Sequence, residues 1–442
     1  MLTAQRLRVQ RRAALFPSNL LGHPPERALV MVSHDVIVVG AGPAGSIAAH
    51  DCAAQGLKTL LLEKFVLPRE KPCGGAVMYR GLSILKGEMP SRLVERKIYG
   101  MRFLFPNGAN AEFVSDKMIG ITTMRSRFDE YLARRAVNSG VELTEEARVV
   151  AARVTEDSAV AKLSDGKEIS SRLIIGADGV NSVVSRSLGL RPEHKDLTRV
   201  GLGMESDFDV GETMVREAMR GNPNILEITP AKGKVSYGWV FPKKEHLGIG
   251  IAGAAVHMNP LRPTFDAFVR STEKRLGLSL PSANRRTYFL GADGLSSRNV
   301  TNRAMLVGDA AGFVDPMMGE GIAYAMKSGV LAARVAVEAV EQDRYEESFL
   351  SKYDALCRKQ FAASFAMAAW AGMKGAPFAE FILPRASGYR LASEVMAMLA
   401  WGEIGYSDIP ITVIRMLPRE FPNIVRRYLQ TRRGARIRMT AS

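Results

Sequence analysis

The chain has 442 residues, of which 47% are hydrophobic, so it is long and apolar enough to bury a large core. Its three cysteines, Cys52, Cys73 and Cys357, are too few and too scattered for a disulfide framework or a metal site, so we predict no bound metal and a reducing compartment. The formal net charge of +15 is concentrated at the two ends of the chain, which argues against an extended nucleic-acid-binding surface.

The two ends are arginine-rich. Residues 1–32 form a basic N-terminal extension with five arginines and one glutamate. This composition resembles that of a transit peptide, but the segment lacks the clear apolar helical face that a transit peptide has. As an alternative, Met31 is a possible downstream translation start just before the first predicted strand. Residues 426–438 hold six arginines and no acidic residue, and 431–442 form a basic tail. Such ends are either solvated or attracted to anionic lipid.

Residues 35–63 predict a strand, a glycine-rich turn, a helix ending near residue 56 and a second strand closing on Glu63. Gly40 allows the tight turn, Gly42 lets the backbone approach a pyrophosphate, and Gly45 lets the helix pack closely on the strand. Pro43 suits the first helical turn, whose positive end would face the phosphates. Glu63 stands where a carboxylate would accept hydrogen bonds from an adenosine ribose. The segment therefore predicts dinucleotide binding.

A second glycine-rich cluster follows a predicted buried strand at 304–307. Gly308 and Asp309 stand at the carboxyl end of this strand, where open α/β sheets bind ligands, and the Asp309 carboxylate could hold a ribityl hydroxyl. A helix cap is the alternative role for Asp309. The run 316–321 then leads into a predicted helix at 322–340, whose N-terminal amides could stabilise an anionic reduced flavin. Together the two clusters favour a flavin dinucleotide over a nicotinamide.

Four stretches of the chain carry a resemblance to a known family. They are the glycine turn at 40–45, KPCGG at 71–75, YGWVFP at 237–242, and the GD pair at 308–309 with its glycine-rich continuation. On these stretches the chain resembles the FAD-dependent geranylgeranyl reductase family, within the larger group that has the fold of p-hydroxybenzoate hydroxylase. GADG at 176–179 and Arg125 in an RxxFDxxL pattern are similar to the wider group, and GEIGYSDI at 402–409 is similar to the family's carboxyl-terminal region. The resemblance covers about residues 33–425 and implies FAD as the cofactor.

The resemblance also implies roles for individual residues. Arg125 would approach the cofactor phosphates, and Cys73 would lie beside the flavin, where its thiol could donate or relay a proton or tune the electronic properties of the flavin. Glu320 could position the ring, although an acid in a first helical turn is structurally ordinary and a buried cysteine usually acts as a small apolar group. The predicted catalytic residues are Cys73 and Glu320. The predicted cofactor-binding residues are Gly40, Gly42, Pro43, Ala44, Gly45, Glu63, Lys64, Cys73, Gly74, Gly75, Arg125, Val149, Asp178, Gly308, Asp309, Gly319, Gly321 and Ile322.

The strand YGWVFP is the predicted substrate contact. Alternation along a strand sends Tyr237, Trp239 and Phe241 to one face, where three aromatic rings could shape a dry channel for an isoprenoid chain. An aromatic core stripe is the ordinary alternative, and the family resemblance is what favours a substrate channel.

The predicted fold class is α/β, with a Rossmann-type FAD-binding domain, an interwoven antiparallel-sheet substrate domain and a helical C-terminal region. The FAD-binding domain would use 33–75, 117–190 and 295–345, because its motifs must converge on one cofactor. Segments 76–116 and 191–294 would form the substrate domain, since runs such as KVSYGWVFP and HLGIGIAGA alternate as strands do. Residues 346–430 would be largely helical, with several proline interruptions.

The leading hypothesis for function is a flavin-dependent reductase that saturates isoprenoid double bonds of geranylgeranyl chains, above all those of archaeal-type membrane lipids. Alternatives are reduction of a chlorophyll or menaquinone prenyl tail, an FAD-dependent aromatic hydroxylase or halogenase, and a non-catalytic prenyl-lipid binding flavoprotein. The electron donor would be NAD(P)H or reduced ferredoxin, because a nicotinamide need not have its own glycine motif.

We predict a cytoplasmic protein that associates peripherally with a membrane surface. No run of 18 apolar residues occurs, and the longest candidate, 361–373, has 13 residues and is alanine-rich. The predicted substrate is nevertheless a prenyl lipid, so the enzyme must meet a membrane without spanning it.

Overall fold

The computed structural model describes residues 32–87, 89–191, 200–231 and 236–420. The predictions for Met31, for almost all of the N-terminal extension and for the basic tail lie outside the described residues. The strands are β1 (His34–Val39), β2 (Thr59–Leu62), β3 (Ala76–Met78), β4 (Arg96–Ile98), β5 (Gly100–Leu104), β6 (Asn110–Val114), β7 (Gly120–Thr122), β8 (Glu142–Thr144), β9 (Val149–Val154), β10 (Ala159–Leu163), β11 (Glu168–Gly176), β12 (Val200–Asp209), β13 (Ile225–Pro230), β14 (Ser236–Pro242), β15 (His246–Ala254), β16 (Arg286–Gly291), β17 (Val300–Thr301) and β18 (Ala304–Leu306).

Helices fill the intervals between the sheets and most of the region after residue 346. They are α1 (Pro43–Ala54), α2 (Tyr79–Leu82), α3 (Arg125–Asn138), α4 (Val183–Ser187), α5 (Gly211–Ala218), α6 (Leu261–Leu276), α7 (Ile322–Glu341), α8 (Glu347–Ala386) and α9 (Arg390–Trp401). Residues 409–420 are also helical. The predicted helical character of the C-terminal region therefore holds in its described part.

The largest sheet has a parallel centre in the order β18-β11-β1-β2-β8, with β17 and the pair β9 and β10 added antiparallel. The central strand β1 is buried on both faces at 36–39, as the unbroken apolar run VIVV predicts. Helices α1 and α3 pack together, and α1 also packs on α7, where a Cβ at Gly329 would lie 2.5 Å from the Ala44 carbonyl oxygen. The carboxyl ends of β1 and β18 thus open at one edge, where the two glycine clusters stand.

A seven-stranded sheet has the order β16-β12-β15-β14-β13-β5-β6. It is antiparallel as predicted, except that β5 and β13 pair in parallel. A parallel pair needs a long connection, and the 120 residues between the end of β5 and the start of β13 include the FAD segment 117–190. The interweaving of the two regions therefore produces the exception.

A third sheet, β3-β7-β4, joins the two larger ones. Strand β7 belongs to the segment that we placed with the FAD-binding domain, but it pairs with β3 and β4 from the preceding segment. The residues from Val32 onward form one compact unit, so the two predicted regions are closely interleaved.

The 40-residue helix α8 is interrupted at Gly375, whose φ of 68° and ψ of −168° are not helical. Pro377 stands two residues after this break, in the first turn of the new helical segment, where proline is tolerated. Residues before the break, including Tyr353 and Phe361, are buried in the core of the largest sheet. Among the described residues, no helix is both long and apolar enough to cross a bilayer.

Candidate FAD and lipid site

A single cavity of about 1240 Å³ brings the predicted site residues together. Every predicted cofactor-binding, catalytic and substrate-binding residue borders it except Gly45 and Gly308. These two glycines lie just behind its wall, where Gly45 packs against Gly40 and Gly308 packs against Ala44. Motifs that are more than 200 residues apart in sequence therefore share one site.

The glycine turn after β1 has the geometry that its sequence predicts. Gly40 has a φ of 103°, and a Cβ there would lie 2.5 Å from the Ala177 carbonyl oxygen. A Cβ at Gly45 would collide with the Gly40 carbonyl oxygen, so α1 can approach β1 only because this residue is glycine. At Gly42 the nearest atom to an added Cβ is 3.8 Å away, which leaves open space on the cavity side. The turn thus leaves room at the N-terminus of α1 for an anionic group.

Glu63 and Arg125 are linked through a buried ion network. Glu63 accepts a hydrogen bond from the Ala41 amide at 3.0 Å and lies 3.4 Å from the Arg69 Nε. The fully buried Asp129 accepts hydrogen bonds from both Arg69 and Arg125, each at 2.9 Å. Burial acts to lower the pKa of Arg125, but interactions with the Asp129 carboxylate and with the Cys73 side chain together outweigh burial and raise this pKa. Arg125 therefore stays cationic at the cavity wall, as a phosphate contact requires.

Arg69 and Asp129 were not among the predicted site residues. Asp129 stands four residues after Arg125 on α3, and an acid at that spacing on a helix is a recognisable partner for arginine. Arg69 had no such signal, because it meets Asp129 across 60 residues.

The turn between β18 and α7 forms the opposite end of the cofactor region. Buried Asp315 holds it by accepting hydrogen bonds from the Met317 and Met318 amides at 2.8 Å and 2.7 Å. The Asp-Pro pair at 315–316 was a turn signal that the sequence analysis did not use. Asp309 borders the cavity, and its carboxylate has no hydrogen-bond or ion-pair partner among the described residues. It is therefore free to accept hydrogen bonds from a ligand.

Asp178 borders the cavity, but its carboxylate is occupied by the protein. It accepts hydrogen bonds from the Ser182 hydroxyl at 2.5 Å and from the Val183 amide at 2.6 Å. Burial raises the pKa of Asp178, while these donors act in the opposite direction. The geometry gives Asp178 a role in fixing the loop before α4, and any contribution to cofactor binding would act through that loop.

Cys73 lies where a glycine pair meets the aromatic strand. A Cβ at Gly74 would lie 2.7 Å from the Phe241 ring and 2.9 Å from the Trp239 Nε1, so the backbone here rests directly on the two rings. Gly75 has a φ of 77°, and its amide donates to the Cys73 Sγ at 3.4 Å. The KPCGG and YGWVFP motifs are therefore in direct contact.

The aromatic stripe is real and faces the cavity. The ring centroids of Tyr237 and Trp239 are 5.9 Å apart, and those of Trp239 and Phe241 are 6.0 Å apart. Gly250 is the partner of Trp239 on β15, and a Cβ there would collide with the indole ring. The glycines of HLGIGIAGA thus leave the space that the rings occupy.

Behind Cys73 lies a buried charged cluster that the sequence did not indicate. Glu205 on β12 accepts a hydrogen bond from the Cys73 amide at 3.3 Å and is fully buried. Burial, and secondly the Asp207 carboxylate, raise the pKa of Glu205 to about 7. Lys243 pairs with Asp207, and Arg286 lies 3.8 Å from Glu205. Cys73 and Glu205 are 132 residues apart, so no local pattern could have linked them.

Glu320 is paired with Arg80 of α2. The carboxylate accepts from the Arg80 guanidinium through both of its oxygens, one contact being 3.2 Å long. Burial acts to lower the pKa of Arg80, but Glu320 together with Tyr324 and Tyr406 outweighs burial, and the pKa is raised. The geometry of this pair supports positioning of the 319–321 turn better than proton transfer by Glu320.

The GEIGYSDI segment closes the same part of the cavity. The Tyr406 amide donates to the Ser364 hydroxyl at 3.1 Å, and the Asp408 carboxylate accepts from the Gly405 amide at 2.8 Å. Tyr406 borders the cavity, and burial raises its pKa well above the ordinary value. This explains why a motif near the C-terminus accompanies the cofactor motifs.

The remainder of the cavity is an apolar arm that was not among the predicted parts of the site. Its walls come from α8, α9 and the helical segment 409–420, together with apolar residues of β5, β6 and β13 that pack against these helices. Residues that line this arm include Ala368, Trp370, Gly372, Ala376, Phe378, Leu383, Leu391, Val395, Leu399 and Val413. One end of the cavity is therefore built for a polar dinucleotide and the other for a long apolar chain.

The residues present fit FAD. The open N-terminus of α1 suits a pyrophosphate, and the free carboxylate of Asp309 suits a hydroxylated linker on the opposite side. Trp239 is 3% exposed, and its Nε1 donor has no hydrogen-bond partner among the described residues. A buried donor of this kind favours a ligand acceptor at the cavity wall.

Comparison with known proteins agrees with this geometry. Residues 33–368 match the family described as an FAD binding domain. Digeranylgeranylglycerophospholipid reductase 1 of Methanococcoides burtonii is 33% identical over 352 residues, which covers 75% of this chain and 81% of that protein. The crystal structure of a geranylgeranyl bacteriochlorophyll reductase-like protein from Thermoplasma acidophilum has a TM-score of 0.70 at 23% identity, covering 90% of this chain and 98% of that one.

A flavin-dependent halogenase has the same fold. Halogenase PltM, solved in complex with phloroglucinol and FAD, matches with a TM-score of 0.64 at 18% identity, and the match covers 83% of this chain and 82% of that one. At such low identity these two structures establish a shared fold, and the site itself must distinguish the chemistry.

Proposed function

Because the chain belongs to the family of FAD-binding flavoproteins that includes the digeranylgeranylglycerophospholipid reductases, we propose that it is an FAD-dependent reductase that saturates isoprenoid double bonds in the geranylgeranyl chains of archaeal-type membrane lipids. One observation supports this function above the others. The cofactor region and the apolar arm are parts of one cavity, and the aromatic stripe of β14 lies where they meet. A long isoprenoid chain in the arm would be held against the cofactor region.

The chain's own residues have three tasks in this reaction. Reduced FAD, when bound, would supply the hydride that an isolated double bond requires. The rings of Tyr237, Trp239 and Phe241 orient the chain and exclude water, because they form a continuous apolar wall. We assign the proton to the Cys73 thiol, which stands beside these rings, with Glu205 holding the Cys73 backbone in place.

The partners follow from this proposal. The electron donor is NAD(P)H or reduced ferredoxin, and the sequence holds no second nucleotide-binding glycine motif that would decide between them. The substrate is a prenyl lipid, so the enzyme works in the cytoplasm at a membrane surface and has a place in lipid biosynthesis. Lipid chains with a chlorophyll or menaquinone head group are the nearest alternative substrates.

Anaerobic turnover followed by mass analysis of the lipid tests the function. The FAD-loaded protein is reduced with dithionite and given detergent-dispersed digeranylgeranylglycerophospholipid, and we expect products that have gained successive pairs of hydrogen atoms. A parallel reaction in air with halide present tests the other flavin chemistries. Oxygen addition or halogenation in air, without anaerobic saturation, would identify a hydroxylase or halogenase, and no product in either reaction would identify a binding protein.

A further inference from the structure

An exposed apolar patch lies at the C-terminal end of the cavity. Five large side chains of α8 are solvent-exposed, with Met373 at 69% and Phe381 at 57% of their accessible surface. Their spacing of three to four residues places each group on one face of its helical segment. Contact between the rings of Trp370 and Phe378, 5.6 Å apart, joins the groups across the break in α8. We call this patch the docking face, and its members are Trp370, Met373, Phe378, Phe381 and Ile382.

The docking face is continuous with the cavity. Trp370, Phe378 and Ile382 are exposed and also line the apolar arm, so the arm reaches the surface within this patch. The helical segment 409–420 repeats the arrangement, since Val413 lines the arm while its neighbour Ile414 is 61% exposed. The apolar interior of the protein therefore extends to an apolar surface.

Cations accompany the exposed rings. The Lys374 ammonium lies 5.5 Å from the centre of the Trp370 ring, and the Arg385 guanidinium lies 4.0 Å from that of Phe381. Arg415 and Arg419 are exposed on the segment 409–420. Aromatic rings with adjacent long cationic side chains suit the boundary between acyl chains and anionic headgroups, because the rings enter the apolar layer while the charges remain at its surface.

We propose that the docking face inserts into one leaflet of an anionic membrane, so that a lipid chain passes from the leaflet into the apolar arm without crossing water. The inference rests on the proposed function, because only a lipid substrate requires this route. A soluble partner protein would cover the face without needing the opening of the arm at its centre. Insertion is shallow and reversible, since only side chains and no whole helix enter the lipid.

Met373 and Phe381 allow a clean test, because both are exposed and neither lines the cavity. The double variant Met373→Glu/Phe381→Glu is compared with the wild type and with the control Val256→Glu. Val256 is also an exposed apolar residue, with 47% of its surface accessible, but it lies on the turn after β15 and is not part of the docking face. Binding of the FAD-loaded proteins to vesicles of phosphatidylglycerol and phosphatidylcholine is measured by co-sedimentation. We expect the double variant to bind at least about tenfold more weakly, because two apolar contacts are replaced by charges that anionic lipid repels.

Two further measurements separate the possible failures. FAD content and turnover of detergent-dispersed lipid should be unchanged in the double variant, whereas turnover of lipid in vesicles should fall with binding. Vesicle binding equal to that of the wild type would overturn the docking face. If the double variant binds vesicles like the wild type but loses a dimer that the wild type forms in analytical ultracentrifugation, the face contacts a second copy of the chain. That result would also refute insertion of the face into a membrane. Absence of turnover in detergent by the wild type would instead refute the proposed function and leave the docking result standing.

Discussion

The wild-type protein should become less stable against unfolding as the pH rises, because buried Glu205 must then lose its proton. The substitution Glu205→Gln should remove this pH dependence. The pKa of Glu205 is raised from 4.5 to about 7 by burial and by Asp207, so the folded protein retains this proton more strongly than the unfolded chain does. Its contribution to stability is therefore complete below pH 4.5 and is lost as the pH rises through about 7. The difference between the two pKa values corresponds to roughly 3 kcal/mol, of which roughly 2 to 3 kcal/mol falls between about pH 5 and about pH 8.

This change in the free energy of unfolding is checked by urea unfolding of the FAD-loaded wild type and of Glu205→Gln across this pH range. Gln keeps an oxygen that can accept from the Cys73 amide but does not titrate, so the wild type should lose stability relative to the variant as the pH rises. Glu217→Gln, at an exposed position of α5, is the control and should leave the pH profile of the wild type unchanged. Parallel profiles for the wild type and Glu205→Gln would refute the argument that burial holds this proton.

Three further substitutions test the site. Gly42→Val should give protein that lacks the yellow colour of bound FAD, because a branched side chain would fill the open space at the N-terminus of α1, and normal flavin absorbance after purification would contradict that assignment. Cys73→Ser should retain FAD but slow single-turnover lipid reduction by about a hundredfold if the thiol delivers the proton, and an unchanged rate would make Cys73 a packing residue. Trp239→Phe should keep the apolar contact with Gly250 while changing which double bonds are reduced, as determined by mass analysis, and an identical product pattern would leave Trp239 as core alone.

The cofactor half of the site could be predicted because its chemistry is local. Gly45 is required by its contact with the Gly40 carbonyl five residues earlier, and Gly40 by its positive φ in the tight turn, so the motif has a recognisable spacing. The predictions of the α/β fold, of FAD as cofactor and of membership in the reductase family are confirmed by the comparisons. The proposed roles of individual residues at the cavity wall stay predictions.

The remaining parts of the site depend on contacts between distant segments. Glu205 reaches Cys73 through the pairing of the seven-stranded sheet, and Arg80 reaches Glu320 across 240 residues. The position of Asp178 after β11 was predictable from the sequence. The hydrogen bonds that its carboxylate accepts from Ser182 and Val183 at the start of α4 were not. The apolar arm gave no signal because alanine, leucine and valine on α8 and α9 have the same pattern whether they line a cavity or fill a core.

The break at Gly375 divides α8 into two parts with different neighbours. The part before it is buried against the flavoprotein core, and the match to the FAD binding domain ends at residue 368, shortly before the break. The part after it lines the apolar arm, packs on β5 and β6, and carries part of the docking face. Much of the wall of the arm, namely the second half of α8, α9 and the segment 409–420, therefore follows one glycine in the sequence. If the arm holds the lipid chain as proposed, exchange of this C-terminal segment between relatives would change lipid preference while the flavin half of the protein stays intact.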